Sequence, residues 1–189
     1  MASFEKRKKD CLGKLDKSNI GSWDAKIKDL CEKINNKNNL YTTSSCAGRI
    51  VLLKDEDKKA KNKFLFRTHD KISFSELKEK IGNVKEKDKE KGLIYFKQEP
   101  CILHVACDNL DDARDLLEKA KLVGWKRSGV MSVNKRFMLE LMSTENIGFP
   151  IIQDGKLLVN DDFLKLVVKQ SNKKLGRTWE KIQKLEKLI

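Results

Sequence analysis

Several strand-like segments of this chain are separated by only a few residues, and this spacing limits the folds that it can adopt. Residues 149–153 and 156–159 flank Asp154 and Gly155, a pair that strongly favours a hairpin turn. A connection this short joins antiparallel strands, because a parallel pair needs a crossover of about a dozen residues or more. The spacing therefore argues against the regular alternation of strand and helix that builds a doubly wound fold.

Short segments rich in strand-forming residues recur along the rest of the chain. The predicted strands, besides the two of this hairpin, are residues 40–43, 49–53, 64–68, 93–96, 101–107, 129–133 and 136–142. Residues 44–48 are predicted to form a turn between the first two strands. Residues 54–63 are almost wholly charged and are predicted to be a solvated hairpin loop. Residues 97–100 are predicted to connect the two strands on either side of them.

Helices are predicted where apolar residues recur at helical spacing behind a capping residue. The first two are residues 3–16 and a helix capped by Ser22 that places Ile27, Leu30, Cys31 and Ile34 on one face. A third helix begins at the capping box of Ser73 and Glu76, and a fourth begins at Asn109 and ends at Gly124. The C-terminal helical region begins at Asn160 or Asp161, and Gly176 is expected to divide it.

With 189 residues, 39% of them apolar, the chain can bury a core of its own. No internal repeat and no Pro-, Gly- or Ser-rich linker divides it. We therefore expect one domain over residues 1–189, of the α+β class, in which a mixed, largely antiparallel sheet carries flanking helices. Its C-terminal part, residues 161–189, is expected to be helical.

The chain carries a formal net charge of +13 and a pI near 9.5. A field of that sign attracts polyanions, above all nucleic acid. The alternative is that the lysine-rich composition reflects the genome or adaptation to heat, since heat-stable proteins are also enriched in charged residues. On charge alone, nucleic-acid binding is favoured over that alternative.

The compartment is indicated by what the sequence lacks. No secretory signal follows the polar N-terminus, and no apolar run approaches the roughly 20 residues of a membrane span. The five cysteines are an odd number without a Cys-x-x-Cys pair, and there are only two histidines. We expect a cytoplasmic protein in a reducing compartment, with no membrane span and no metal site. Cys46 is expected to be a structural thiol, since nothing in the sequence places a base beside it.

The segment TTSSCAGR collects polar groups between two predicted strands. Ser44 and Ser45 offer hydroxyl groups, and Gly48 allows a close approach of the backbone or a positive φ. Arg49 offers a planar, permanently charged donor fork suited to phosphate or carboxylate. The segment predicts a cradle for an anion, with an ordinary polar turn as the alternative.

The segment FKQEPCILHV alternates with a period of two in its second half. Cys101 and Leu103 fall on one face of the predicted strand and His104 falls on the other. A histidine in the middle of such a strand is typical of a satisfied core residue, while a role in a site stays open. Glu99, which precedes Pro100 at the mouth of the strand, can bind a ribose hydroxyl or an amino group, with a solvated loop acid as the alternative.

Two further segments place charge where RNA can be bound. His69, in the segment RTHD, suits contact with a phosphate or a base, and a surface histidine without a role is the alternative. Lys126 and Arg127 adjoin Trp125 and offer stacking together with charge, although Trp125 fits the core equally well. No Gly-rich Rossmann fingerprint, Walker loop, HExxH or GxSxG pattern is present. The residues alone indicate a basic RNA-binding domain and leave an enzymatic activity open.

Taken in order, these segments show that the chain resembles the tRNA wybutosine-synthesizing protein 3 family in its stand-alone, archaeal form. The matching segments are LDKS and GSWD within residues 15–24, YTTSSCAGRI at 41–50, FKQEPCILHV at 96–105, GWKRSGV at 124–130, FMLELMSTE at 137–145 and PIIQDGKLLV at 150–159. Each alone is weak evidence, whereas the ordered set is highly specific.

The resemblance implies an S-adenosylmethionine-dependent tRNA methyltransferase whose cofactor site is unlike the common Rossmann one. It implies methylation of N4 of a 4-demethylwyosine-type guanosine at position 37 of tRNA-Phe, in the anticodon region, on the pathway to wyosine derivatives such as wybutosine. A non-catalytic basic module that binds tRNA is the alternative from a different class.

The resemblance also implies roles for the residues singled out above. The candidate catalytic residues, which would orient the cofactor or the base, are Glu99 and His104. The residues expected to bind cofactor or substrate are Ser44, Ser45, Gly48, Arg49, His69, Lys126, Arg127 and Ser128.

Overall fold

A computed structural model of the chain describes residues 3–14, 23–55, 63–85, 88, 92–134 and 136–189. The predicted cap Ser22 and most of the predicted loop at 54–63 lie outside these residues. The helices are α1 (Phe4–Leu12), α2 (Lys28–Asn35), α3 (Phe74–Gly82), α4 (Leu110–Leu122) and α5 (Asp161–Glu186). The strands are β1 (Leu40–Cys46), β2 (Arg49–Lys54), β3 (Lys63–Thr68), β4 (Leu93–Glu99), β5 (Ile102–Cys107), β6 (Gly129–Ser132), β7 (Phe137–Met142), β8 (Ile147–Gln153) and β9 (Lys156–Leu157).

The strand pairs of the described residues are all antiparallel, as the short connections require. They form a four-stranded sheet with the order β1-β5-β7-β6 and a five-stranded sheet with the order β3-β2-β4-β8-β9. The predicted α+β fold with antiparallel strands and no Rossmann alternation is confirmed. The division into two sheets was not foreseen, because no linker in the sequence separates the strands of one sheet from those of the other.

The chain packs into two compact units, and neither is one continuous stretch. The first unit comprises Met1–Ala47, Pro100–Thr144 and Thr178–Ile189, and it contains the four-stranded sheet. The second comprises Gly48–Glu99 and Glu145–Arg177, and it contains the five-stranded sheet. The division describes packing, so the expectation that residues 1–189 act as one domain stays a prediction.

The core of the first unit packs α2 and α4 against the four-stranded sheet. The predicted apolar face of α2 is confirmed, since its four members are fully buried: Ile27, Leu30, Cys31 and Ile34. Trp125 is also fully buried, and its indole Nε1 donates a hydrogen bond to the carbonyl of Lys181 at 3.3 Å. Of the two alternatives for Trp125, the core residue is therefore correct.

Capping residues begin and end the helices of both units largely as predicted. The hydroxyl of Ser73 accepts a hydrogen bond from the backbone N–H of Glu76 at 3.0 Å, at the start of α3. Asn109 Oδ1 accepts from the backbone N–H of Asp112 at 2.9 Å, at the start of α4. Gly124 follows α4 with a φ of 96°, a left-handed conformation that favours glycine.

The second unit contains the predicted hairpin between β8 and β9. Asp154 and Gly155 have φ angles of 45° and 81°, and positive φ at both central residues is what a type I′ hairpin turn requires. On the buried side of this sheet, Phe96 stacks on Phe149 with 5.5 Å between ring centroids. Phe149 in turn meets Phe163 of α5 edge-on at 5.3 Å.

The start of α2 differs from the prediction. The helix begins at Lys28 and not directly behind Ser22. The carboxylate of Asp24 accepts hydrogen bonds from the backbone N–H groups of Lys26 at 3.3 Å and of Ala47 at 2.9 Å. These bonds hold the backbone ahead of the helix in a turn, because a side chain that satisfies local N–H groups competes with the helix.

Two other helix boundaries also differ from the prediction. α1 ends at Leu12 and not at residue 16, because the next residue, Gly13, lowers the helix propensity. α5 runs without a break through Gly176, because one glycine costs a helix only about 1 kcal/mol, and buried residues before and after it fix the helix. Within the described residues, no helix combines the length and the apolar character that crossing a membrane requires.

The buried Trp125 gives the first prediction. Trp125→Ala should lower the free energy of unfolding by about 3–5 kcal/mol, because it removes a fully buried aromatic ring and leaves a cavity. Trp125→Phe is the matched control and should lose much less, since it keeps most of the apolar surface. Urea unfolding followed by circular dichroism measures both, and a loss below about 1 kcal/mol for the alanine variant would place Trp125 outside the core.

Candidate active site

The two segments YTTSSCAGRI and FKQEPCILHV contribute the strands of two antiparallel pairs, β1 with β5 and β2 with β4. β1 pairs with β5 so that Ser44 lies opposite His104, and β2 pairs with β4 so that Arg49 lies opposite Glu99. From Ser44 onward the register is the same in both pairs. The five positions from Ser44 forward to Arg49 correspond to the five positions from His104 back to Glu99. The predicted site residues on these segments therefore form two groups, one in each unit.

In the first unit, Ser44, His104 and Glu140 form a row across three adjacent strands. Ser44 Oγ lies 2.7 Å from His104 Nδ1, and His104 Nε2 lies 3.1 Å from Glu140 Oε2. The register explains the row, because β5 pairs His104 with Ser44 on one side and with Glu140 on the other. The side chains of His104 and Glu140 are 25% and 33% exposed, so the row is open to water.

If the ring of His104 is neutral, its partners determine which nitrogen carries the proton. A carboxylate only accepts hydrogen bonds, so Nε2 carries a proton and donates it to Glu140. Nδ1 of the neutral ring is then an acceptor, and the hydroxyl of Ser44 donates to it. An imidazole held by a carboxylate and hydrogen-bonded to a hydroxyl group has the geometry of an oriented base. Such a row can accept a proton and hold the resulting imidazolium charge against Glu140.

His104 differs from the predicted core histidine. Its ring is satisfied, as expected, but its partners are the polar side chains of Ser44 and Glu140, and 25% of its own side chain is exposed. Leu103 and Val105 are fully buried on the opposite face of β5, so the alternation placed His104 on the correct side. The sequence could not show that polar residues of two neighbouring strands face it.

Ser44 and Ser45 lie in β1 and not in a turn. The predicted turn at 44–48 is reduced to the two residues between β1 and β2, because backbone pairing with β5 keeps both serines extended. Consecutive strand residues point to opposite faces. Ser44 contacts His104, whereas the hydroxyl of Ser45 hydrogen-bonds the thiol of Cys31 on α2. The two hydroxyls therefore lie on opposite faces of β1, and the part that both serines play in binding stays a prediction.

In the second unit, Arg49 and Glu99 form a cross-strand ion pair. Arg49 Nε and Glu99 Oε2 lie 2.5 Å apart, with 26% and 30% of the two side chains exposed. Glu99 is the last residue of β4, so it is neither a loop acid nor an unpartnered one. The guanidinium carbon of Arg49 also lies 4.9 Å from the centre of the Phe64 ring. The remaining N–H donors of the guanidinium suit a second carboxylate or a phosphate.

Gly48 and His69 belong to the same unit as this ion pair. Gly48 has a φ of 94°, so the predicted need for glycine at this position is confirmed. Its carbonyl accepts a hydrogen bond from His69 Nδ1 at 3.1 Å, which fixes the proton on that nitrogen because a carbonyl cannot donate. His69 comes directly after β3, and the pairing of β3 with β2 brings it there.

The predicted cationic segment lies in the turn that leads into β6. Ser128 Oγ donates to the carbonyl of Trp125 at 2.6 Å and accepts from the N–H of Met142 at 3.0 Å, so this hydroxyl holds the turn in place. Lys126 and Arg127 are exposed. Because Trp125 is buried, these two cations offer charge without the predicted stacking partner.

Three of the five cysteines are too deeply buried to act as nucleophiles. Burial raises the pKa of the Cys31 thiol to about 11 and the pKa of the Cys101 and Cys107 thiols to about 12. All three are protonated near neutral pH, and a thiol is a poor nucleophile compared with its thiolate. These three thiols are therefore poor candidates for a catalytic role.

Glu140 is a candidate site residue that the sequence reasoning missed, since it contacts His104. It is the one charged residue in β7, whose sequence is FMLELM and whose neighbours in that strand are apolar. A carboxylate inside an apolar strand is costly unless it has a partner, so its position was a usable signal. The partner itself could not be named without the register between β5 and β7.

These observations define a basic, non-Rossmann α+β protein whose polar groups lie on paired strands. The family model for methyltransferase TYW3 matches residues 6–189. The chain belongs to this methyltransferase family, which confirms the resemblance seen in the sequence.

Individual relatives match over nearly the whole chain. A Thermococcus sibiricus protein named tRNA(Phe) 7-((3-amino-3-carboxypropyl)-4-demethylwyosine(37)-N(4))-methyltransferase is 36% identical over 97% of this chain and 93% of its own length. An Archaeoglobus fulgidus protein of the same name is 33% identical over 98% and 93%, respectively. A solved structure of a Pyrococcus horikoshii protein has a TM-score of 0.87 and 32% identity, and it covers 98% of this chain and 95% of that one.

The buried thiols predict a loss of stability at alkaline pH. An unfolded cysteine releases its proton near pH 9.0, whereas folded Cys101 keeps it up to a pKa of about 12. The unfolded state therefore binds fewer protons between these values, and each such thiol lowers the free energy of unfolding by up to about 1.4 kcal/mol per pH unit as the pH rises.

Cys101→Ala should weaken this dependence on pH. Urea unfolding at about pH 8 and about pH 10, in reducing buffer, measures the slope for the wild type and the variant. The slope, and not the absolute stability, is the readout, because the variant also loses apolar contacts. Equal slopes in the two proteins would show that Cys101 titrates in the folded state as it does in the unfolded state.

Proposed function

We propose that this protein is an S-adenosylmethionine-dependent methyltransferase that methylates N4 of a 4-demethylwyosine-type base at position 37 of tRNA-Phe. One observation carries the proposal: proteins named for this activity are 33–36% identical to the chain over nearly its full length. The net charge of +13 supports a polyanionic substrate such as tRNA. A tRNA substrate also supports a cytoplasmic location.

The charged pair of the second unit fits S-adenosylmethionine. This cofactor carries a carboxylate, an ammonium group and ribose hydroxyls, and it supplies a methyl group already bonded to a sulfonium. The guanidinium of Arg49 keeps N–H donors beyond the Nε that binds Glu99, and these suit a carboxylate. The second carboxylate oxygen of Glu99 suits a hydroxyl or ammonium donor.

The row of the first unit fits the proton transfer that the reaction needs. A ring nitrogen that gains a methyl group must lose its proton, and the electron pair of the broken carbon–sulfur bond stays on the sulfur. His104 would accept that proton through the hydroxyl of Ser44, which would pass its own proton to Nδ1 as it takes the substrate's, and Glu140 would stabilise the imidazolium. Proton transfer to solvent would then restore the neutral ring. No covalent intermediate with the protein is required.

The other predicted site residues support binding in this proposal. His69 and Gly48 would shape the backbone ahead of Arg49, through the hydrogen bond between them. Lys126 and Arg127 would attract the phosphates of tRNA, since both side chains are exposed. Ser45 and Ser128 would hold β1 and the turn before β6 in place.

Mass spectrometry of the modified base tests the activity directly. The purified chain would be incubated with S-adenosylmethionine and with tRNA-Phe that lacks the N4 methyl group. The expected result is a gain of one methyl group on that base, which depends on both the protein and the cofactor. No gain of mass, together with tRNA binding, would instead favour the non-catalytic RNA-binding module.

The proton acceptor gives a second test of the same proposal. His104→Gln should lower kcat for methyl transfer roughly 100-fold or more, the size expected for the loss of a general base. Glu140→Gln should cost less, because Glu140 acts on the proton only through His104. Thermal unfolding checks that both variants are folded. A folded His104→Gln variant with kcat within about threefold of the wild type would exclude His104 as the proton acceptor.

A further inference from the structure

One face of the five-stranded sheet presents aromatic and cationic side chains together. Along β4, alternate residues point to opposite faces, and Ile94, Phe96 and Gln98 are buried on one of them. Tyr95 and Lys97 lie on the opposite face and are partly exposed. The same face carries Arg49 and Glu99, which pair across β2 and β4.

A bulge in the pairing of β2 with β3 adds an aromatic residue and a cation to this face. Phe64 and Arg67 are three positions apart and would point to opposite faces in a regular strand. The register shifts between Leu52 and Leu53, so that Phe64 lies opposite Leu53 and Arg67 lies opposite Val51. Both side chains therefore share the face of Tyr95 and Lys97, since bulges redirect side chains in this way.

The planar groups of this face lie close to one another. The guanidinium carbons of Arg49 and Arg67 lie 4.9 Å and 5.7 Å from the centre of the Phe64 ring. The ammonium nitrogen of Lys97 lies 5.5 Å from the centre of the Tyr95 ring. Phe64 is nevertheless 43% exposed. Aromatic rings and guanidinium planes are the groups on which unpaired bases stack.

We propose that this stacking face, formed by Phe64, Arg67, Tyr95 and Lys97 with Arg49 at its edge, binds an unpaired segment of RNA. Phe64 and Tyr95 would stack on bases, and Arg67 and Lys97 would contact phosphates. Within the described part of the chain, Arg67 and Lys97 make no ion pair, so both charges are available to a phosphate. The inference rests on the proposed tRNA methyltransferase function and extends it by assigning a surface to the RNA.

The composition of the face favours RNA over another protein as its occupant. A protein-binding patch is built around a contiguous apolar centre, whereas each ring here has a cation beside it. Sheet faces with aromatic and basic side chains bind single strands because the bases are free to stack. Duplex RNA keeps its bases stacked inside the helix, so this face should discriminate against it.

Fluorescence anisotropy with the full chain tests the proposal. The probes are a short fluorescein-labelled single-stranded oligoribonucleotide and a hairpin duplex of the same composition. Phe64→Ala should weaken binding of the single strand roughly fivefold to 100-fold, which is the range for losing one stacked base. Phe64→Trp should restore binding, and Phe64→Leu, which is apolar but not planar, should not.

Two controls separate stacking from charge and from general damage. Phe163→Ala removes an aromatic residue of similar exposure, 40%, from the same unit, and it should change the affinity less than about twofold if Phe64 acts specifically. Arg67→Gln should lower the slope of log affinity against log salt concentration by about 1, since one phosphate contact is lost. The Phe64 variants should leave that slope unchanged.

Three results would overturn the proposal: equal affinity of Phe64→Ala and wild type for the single strand, full rescue by Phe64→Leu, or equal affinity of the wild type for single strand and duplex. Full rescue by leucine would point to an apolar protein-docking patch instead.

Methyl transfer is measured separately on the same preparations. An active wild-type enzyme with unchanged RNA affinity in Phe64→Ala would refute this inference alone, while an inactive wild type would refute the proposed function.

Discussion

The antiparallel register between the segments β1–β2 and β4–β5 is the constraint on which both sheets and both groups of polar residues depend. It sets Ser44 opposite His104 in the four-stranded sheet and Arg49 opposite Glu99 in the five-stranded sheet. Slippage by one residue would turn every side chain of a strand to the other face. It would also turn Glu99 toward the buried side of its sheet, where a carboxylate without a partner is costly. Burial of the apolar face and pairing of the charges therefore enforce the same register.

The register also explains why each of the two polar groups is preorganised within its own unit. His104 has hydrogen-bonding partners on the two strands that flank it, and Arg49 has its carboxylate partner on the neighbouring strand. Rigid strands, rather than loops, hold these groups, so little ordering is needed when a ligand binds. In the second unit, the Arg49–Glu99 pair shares a sheet face with Phe64 and Arg67. The charged pair and the proposed RNA-stacking surface are thus parts of one face.

Features set by local chemistry could be predicted from the sequence. The Asp154–Gly155 turn and the cap at Asn109 depend on residues within a few positions of each other, and both were found. The role of Glu140, the ring partners of His104 and the exposed face of Phe64 were missed, because they depend on strand register or on a bulge. The order of the motifs identified the family, whereas the contacts between the motifs required the fold.

A double-mutant cycle between Arg49 and Glu99 tests whether the antiparallel register makes the two residues act together in the reaction. The specificity constant kcat/KM for methyl transfer to tRNA-Phe lacking the N4 methyl group would be measured for the wild type, Arg49→Gln, Glu99→Gln and the double variant. If the cross-strand pair acts as one unit, the double variant should lose no more than the worse single variant, with a coupling energy of about 1–3 kcal/mol. Losses that add, or single variants that keep wild-type kcat/KM, would show that Arg49 and Glu99 do not act as one unit in methyl transfer.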